Sequence, residues 1–418
     1  MRSYPAPGSA DVLFVTYGGG HVQMVLPVAQ ALQAQGIRVC VFAMTTAIAV
    51  VDAAGLPYFT YADLPLMQDP RVQAAGARLA ADMPPGGPLP LAETHAYMGV
   101  NYRDMEVNLG VVQAAAKWGD GGRQHFHPRA TMQAVISDLR PRLVVTTNSP
   151  RSEQAAIEAA TALGVPAVAM VDMFALQEVK WLARPNFGQQ LLVLDESVKD
   201  MMIRHGRPAA DITVTGNPAF DGLHDPAVIA AGTYMRQTRG WGRDGRLTVL
   251  SASTPEPALH PFTGEPANPT LPRAIENRLR TLVIENPMLE LVIRRHPSED
   301  QFVAQGARIH TSPRSEDINA LIHAVDLVVV TCSTVGLQAY LAGTPVISVE
   351  GSVFTKDAPY GDFGMATPVP ELDDLGPVLT KMLPSLARAD ERTAPPRVTL
   401  AVDKVVSEIN EWLEQDRP

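Results

Sequence analysis

Residues 326–345 read DLVVVTCSTVGLQAYLAGTP. Residues 327–330 form a continuous apolar, β-branched run, the pattern of a strand buried on both faces. Thr331, Cys332, Ser333 and Thr334 follow, all small, and either Ser333 or Thr334 can cap a helix that starts there. Residues 336–342 carry that helix, Gly343 ends it, and Pro345 opens the next apolar run over 346–349. The order strand, turn, helix, turn, strand is a βαβ unit. A helix N-terminus just past a buried strand offers free N–H groups and a positive dipole end, which suits phosphate. The same pattern also describes a βαβ unit that binds nothing, so the rest of the chain has to decide.

The alternation extends outward from this stretch. Upstream lie a strand at 247–250, a loop at 251–257 that holds Ser253, and a helix at 271–285. A strand at 289–295 then ends in His296, and a helix covers 316–324. Downstream, 372–386 and 400–413 read as closing helices. The first half repeats the logic. A strand at 11–17 runs into Gly18, Gly19, Gly20 and His21, then a helix at 22–35 and a strand at 37–43. Further strands fall at 143–147, 165–171, 191–194 and 212–215, with helices at 152–163 and 197–205. Residues 93–118 are helix-compatible, with Tyr97, Met98, Tyr102 and Met105 read as core packing. The GDGG at 119–122 reads as a chain break, and PPGGPLP at 84–90 as a mobile loop or lid.

The fold class is therefore α/β, with two Rossmann-like, doubly wound domains facing a central cleft. Gly216, Asn217 and Pro218 mark the boundary. The expected division is 1–215, an N-terminal acceptor-binding domain; 216–395, a C-terminal donor-binding domain; and 396–418, a helix packing back on the N-terminal domain. The three adjacent glycines are not the spaced dinucleotide fingerprint, so no nicotinamide site is expected.

Bulk properties narrow the function. The 418 residues suffice for two domains with proper cores, and the 46% hydrophobic and 19% charged content is ordinary for a globular protein. A net charge of -10 argues against nucleic-acid binding and a polybasic membrane patch. Residues near the start lack the apolar core of a signal peptide, and no apolar run is long enough to span a bilayer. The expectation is a soluble, cytoplasmic protein with at most peripheral membrane contact. Cys40 and Cys332 sit beside apolar runs and read as reduced core residues.

In open α/β sheets ligands gather at the carboxyl ends of strands. The first half offers Gly19, Gly20, His21, Asn148, Arg151 and Asp172 there; the second offers Ser253, Arg295, His296, Ser333 and Thr334. The second set is rich in hydroxyls and cations, as a phosphate site requires. His21 follows three glycines at a strand end, where a neutral imidazole can act as a general base; a histidine that merely packs against the loop is the competing reading. Strand alternation sends Arg294 and Arg295 to opposite faces, so one ligand meets at most one of them. The remaining histidines show no metal-ligand spacing, and no strand-end carboxylate pair suits a divalent ion, so no metal is expected.

These motifs resemble the GT-B superfamily of glycosyltransferases. The segment Gly20-His21-Val22-Gln23-Met24-Val25-Leu26-Pro27 is similar to the family's N-terminal GHV-x-P-x-LP turn, with Met24 where many members have proline. Ser333, Thr334, Val335, Gly336, Leu337, Gln338 and Ala339, followed by Gly343 and Pro345, are similar to its donor-binding S-T-x-x-E-A motif. Arg295-His296-Pro297 resembles the HP strand end of bacterial surface-polysaccharide transferases, and Gly216-Asn217-Pro218 with Asp221 an interdomain segment. The resemblance implies metal-independent sugar transfer from a nucleotide sugar, UDP-linked above all, to an acceptor hydroxyl in glycan or surface-polysaccharide synthesis. No cofactor is implied beyond that substrate. The diphosphate would meet Ser333, Thr334, Ser253, Arg295 and His296, and His21 would deprotonate the acceptor, whether glycan, lipid or small molecule. Gln338 stands where the family has a glutamate for the ribose, which opens other nucleotide geometries. A non-hydrolysing UDP-GlcNAc 2-epimerase shares the architecture, but would call for an Arg-Pro-Glu turn and paired glutamates where this chain has Gly19-Gly20-His21 and Ala339-Tyr340. A phosphosugar transferase and a non-enzymatic nucleotide-sugar sensor are the remaining alternatives; the sensor has no need of His21.

Overall fold

A computed structural model describes residues 2–81, 89–261, 263–304, 306–388 and 399–415. The chain divides into two compact units, Met1–Ala219 with Thr399–Pro418, and Phe220–Val398.

The first unit is built on seven parallel strands: β1 (Val12–Thr16), β2 (Val39–Ala43), β3 (Tyr58–Phe59), β4 (Leu143–Thr146), β5 (Ala167–Met170), β6 (Gln190–Val193) and β7 (Ile212–Val214). Their order is β3-β2-β1-β4-β5-β6-β7. Its helices are α1 (Gly20–Ala34), α2 (Ala47–Ala53), α3 (Pro70–Ala80), α4 (Leu91–Leu109), α5 (Val111–Gly121), α6 (Arg129–Leu139), α7 (Ser152–Leu163), α8 (Val179–Leu182) and α9 (Glu196–Arg204). Every residue of β1 is buried: the strand lies inside its sheet, Val12 opposite Val39 and Leu143, and α1 and α7 pack against it. That double burial is why the strand is apolar without alternation. The winding reverses between β1 and β4, so the loops after these two strands diverge and leave a crevice at the strand ends.

The second unit repeats the plan with β8 (Leu247–Ala252), β9 (Leu289–Arg294), β10 (Ile309–Thr311), β11 (Leu327–Val330), β12 (Val346–Val349) and β13 (Thr367–Val369), in the order β10-β9-β8-β11-β12-β13. Its helices are α10 (Pro226–Arg239), α11 (Leu271–Glu285), α12 (Ile318–Ala324), α13 (Thr334–Leu341) and α14 (Leu375–Arg388). Its switch point lies between β8 and β11. The last helix, α15 (Ala401–Gln415), belongs to the first unit, where Val405, Val406, Ile409 and Leu413 join the core with Val12, Phe14, Val25 and Val28.

Two local expectations take a definite form. The helix-compatible stretch 93–118 is helical, but in two helices split at Gly110, whose φ of 80° no continuing helix allows. The GDGG stretch at 119–122 does break the helix, but only at its last glycine: α5 runs through Gly119 to Gly121 and stops where Gly122 takes a φ of 56°. Composition marks where a helix can end; the backbone angle decides where it does. The 84–90 stretch, read as a loop or lid, lies over 84–88 outside the described residues. Both cysteines are free, and burial pushes the Cys40 thiol up to about 12 and raises that of Cys332.

Candidate active site

The loop after β1 is shaped by its glycines. A Cβ on Gly18 would stand 1.8 Å from Thr46 Oγ1 and 2.9 Å from the Ala47 nitrogen, so this backbone passes against the loop before α2 as no other residue would allow. Gly19 has φ 70° and ψ -138°, a region that favours glycine, and turns the chain into α1. His21 is thereby the second residue of α1 and half-buried.

The imidazole does not stand alone. His21 Nδ1 lies 2.7 Å from Thr147 Oγ1, just past β4. The Thr147 hydroxyl in turn donates to Glu153 Oε2 in the first turn of α7, in a very short contact. Glu153 is fully buried and also accepts the backbone N–H of Tyr17 at 2.7 Å and of Ser149 at 3.1 Å. The proton inventory sets the direction of the chain. A carboxylate only accepts, so the one Thr147 proton goes to Glu153. Thr147 Oγ1 must then accept from His21 Nδ1–H. This tautomer leaves Nε2 unprotonated, as a general base requires. Among the described residues the buried carboxylate has no cationic partner, and three hydrogen bonds satisfy it instead.

Asn148 and Asp172 complete the strand ends. The Asp172 N–H donates to Asn148 Oδ1 at 2.8 Å, and Asn217 Nδ2 donates to Asp172 Oδ1 at 3.0 Å. Burial raises the Asp172 pKa against the opposing pull of His21 and Asn217. The structure therefore gathers His21, Gly19, Gly20, Asn148 and Asp172 at one end of the β1 and β4 region. Gly19 and His21 line a cavity of about 510 Å³ together with Tyr17, Tyr97, Arg123 and Arg151.

In the second unit, Ser253 follows β8, His296 follows β9 and Ser333 follows β11, on three adjacent strands. Ser253 Oγ donates to Glu299 Oε1 at 3.1 Å, and the His296 N–H donates to Glu299 Oε2 at 2.9 Å. The His296 ring is exposed, with Nδ1 2.8 Å from Ser298 Oγ. Ser333 caps α13, accepting from Val335 N–H at 3.3 Å, and Thr334 beside it is exposed. Two expected donor residues are engaged elsewhere. The Arg295 side chain is 8% exposed, pairs with Glu276 of α11 at 2.9 Å and donates to the Asp300 and Phe302 carbonyls, so the expectation that it meets a phosphate is corrected. Gln338 donates its amide to Asn319 Oδ1 at 3.0 Å.

Sequence reading missed Thr147 and Glu153. The available signal was slight: an acid in the first turn of a helix that follows a strand end. First-turn acids usually serve only the dipole. Among the described residues, no cluster of three His, Cys, Asp or Glu residues is suited to a metal, and no helix is long and apolar enough to cross a membrane.

Solved structures with the same plan cover nearly the whole chain. UDP-GlcNAc 2-epimerase from Neisseria meningitidis, bound to UDP-GlcNAc, matches with a TM-score of 0.55 at 14% identity, over 96% of this chain and 99% of that one. MurG from Acinetobacter baumannii matches at 0.51 and 14% identity, over 96% and 99%. Anabaena HepE in complex with UDP matches at 0.51 and 15% identity, over 97% and 100%. Neither a protein-family model nor a curated protein matches. The architecture is the GT-B fold, two Rossmann-like units in one chain.

Proposed function

We propose that this protein is an enzyme acting on a UDP-linked sugar, and that it transfers the sugar to an acceptor hydroxyl. The observation that carries this reading is the Glu153–Thr147–His21 chain, which holds His21 with Nε2 free as a base beside a ligand-sized cavity. In the proposed step the acceptor hydroxyl gives its proton to Nε2, and its oxygen bonds to the anomeric carbon. The bond from that carbon to the diphosphate oxygen breaks, and UDP leaves with the electron pair. The imidazolium is stabilised through Thr147 by the Glu153 carboxylate. The diphosphate is assigned to Ser253, His296, Ser333 and Thr334, with the N–H groups of α13 offsetting the charge on the leaving group.

A second reading, 2-epimerisation, draws support from the fold shared with UDP-GlcNAc 2-epimerases. The glycine-histidine turn in place of Arg-Pro-Glu weighs against it. One experiment separates them. Incubation with UDP-GlcNAc alone, followed by proton NMR, shows the 2-epimer if the second reading holds. A transferase releases UDP at speed only when an acceptor panel is added. His21→Ala is expected to lower turnover by about 10²–10⁴-fold with UDP binding intact. A melting temperature unmoved by UDP, GDP, dTDP, ADP, CMP and CDP at millimolar concentration would sink both readings.

A further inference from the structure

The cavity beside His21 contains a cation that the proposed chemistry does not use. Arg151 sits between β4 and α7 with φ 68° and ψ -108°, a positive-φ backbone that is strained for any residue but glycine. Its guanidinium lies over the Tyr17 ring, 5.5 Å from the centroid, with the Tyr97 phenol also beside it. Its Nε is buried and makes no hydrogen bond to any described residue. Among the described residues no carboxylate pairs with Arg151 or with the exposed Arg123 that lines the same cavity. Among other part-buried arginines, Arg236 pairs with Asp326 and Arg280 with Glu276, while Arg294 and Arg308, which have no carboxylate partner among the described residues, donate to backbone carbonyls. The cavity does contain a carboxylate, Glu93, but its ion pair is with Arg2 at 2.5 Å, which also holds Asp63 at 2.9 Å. The result is two guanidiniums lining one cavity, neither with a carboxylate partner among the described residues, in a protein of net charge -10.

We infer that the acceptor in this cavity is a sugar, or a compound of sugar size, that carries a carboxylate or phosphate bound by Arg151 with Arg123 as a second cation. Guanidinium matches either anion in a two-pronged geometry. The partly exposed ring of Tyr97, edge-on to Tyr17 at 6.4 Å in the same lining, suits the apolar face of a sugar ring. This inference rests on the transferase reading for the word acceptor; the anion site itself stands on geometry.

The test is isothermal titration of the full chain with glucuronate, glucose 6-phosphate and neutral methyl glucoside, with UDP titrated separately. At least one charged sugar is expected to bind at least tenfold more tightly than methyl glucoside, and which one does so separates carboxylate from phosphate. Arg151→Gln is expected to abolish that advantage and leave UDP affinity unchanged, with circular dichroism as the check on folding. Should that variant not fold, Arg123→Gln and 0.5 M NaCl are each expected to shrink the advantage severalfold. Equal binding of charged and neutral sugars, no binding of any, or an advantage that survives Arg151→Gln overturns the inference. UDP binding with no charged-sugar preference would leave the transferase reading standing without this site; charged-sugar binding without any UDP affinity would leave the site and remove that reading.

Discussion

Replacing Glu153 with glutamine exchanges one oxygen for an NH₂ group and should reverse the hydrogen-bond chain that ends on His21. The amide supplies one acceptor oxygen where the carboxylate has two. Glu153 Oε1 accepts Tyr17 N–H at 2.7 Å, and Oε2 accepts both Ser149 N–H, at 3.1 Å, and the Thr147 hydroxyl. In either orientation one NH₂ faces a backbone N–H. The clash is worse at the shorter contact, so the oxygen stays with Tyr17 and the NH₂ faces Thr147. Thr147 then accepts from the amide and donates to His21 Nδ1, which moves the ring proton to Nε2 and removes the base. The orphaned Ser149 N–H should cost about 1–3 kcal/mol of stability. Turnover should fall by about 10²–10⁴-fold, the usual worth of general-base catalysis. ¹⁵N NMR of the histidine ring reads the tautomer directly and needs no substrate. Thr147→Val is the companion, removing the link while keeping the carboxylate. An E153Q protein with an unprotonated Nε2, unchanged from the parent, would refute the reasoning.

Three further outcomes are expected. Burial pushes the Glu158 carboxyl up, but His127, Gln154 and Arg184 outweigh it and hold its pKa at about 2, against an ordinary value of 4.5. A depressed carboxyl stabilises the fold above its unfolded pKa and loses that contribution as pH falls toward its folded one. Glu158→Gln should therefore cost about 2–3 kcal/mol at pH 7 and almost nothing near pH 2, measured by urea unfolding across pH; an equal cost at both ends would count against this. Gly18→Ala places a methyl inside Thr46 and the Ala47 backbone and should cost on the order of 1–3 kcal/mol in a thermal or urea melt, with turnover falling as the loop shifts. Ser333→Ala removes the α13 cap, at about 1 kcal/mol in the same melt, and should also weaken UDP binding by calorimetry; unchanged affinity would remove Ser333 from the donor site.

The βαβ units at 326–349 and 11–43 were legible because both signals are local. Buried parallel strands are apolar without interruption, and the residues that bound each helix, Ser333 and Gly343 in one unit and Gly19 and Gly36 in the other, lie within one turn of it. His21 was legible for the same reason, as a side chain delivered by a glycine loop at a strand end. Its proposed function as a directed base was not, because the partners that orient it are remote: Thr147 is 126 residues away. Glu153 looks in sequence like any acid that decorates a helix start, and only tertiary packing makes it fully buried and points its oxygens at Tyr17, Ser149 and Thr147. Arg295 shows the opposite failure, since its position after a strand suggested a ligand while packing against Glu276 consumed its charge. Helix ends differed for a related reason: Gly110 and Gly119 are the same residue in composition, but the fold gives only Gly110 a positive φ. Periodicity and turn chemistry act over a few residues and are written along the chain. Proton direction, charge pairing and burial depend on which distant residues the sheet order brings within 3 Å, and that is decided only when the chain has folded.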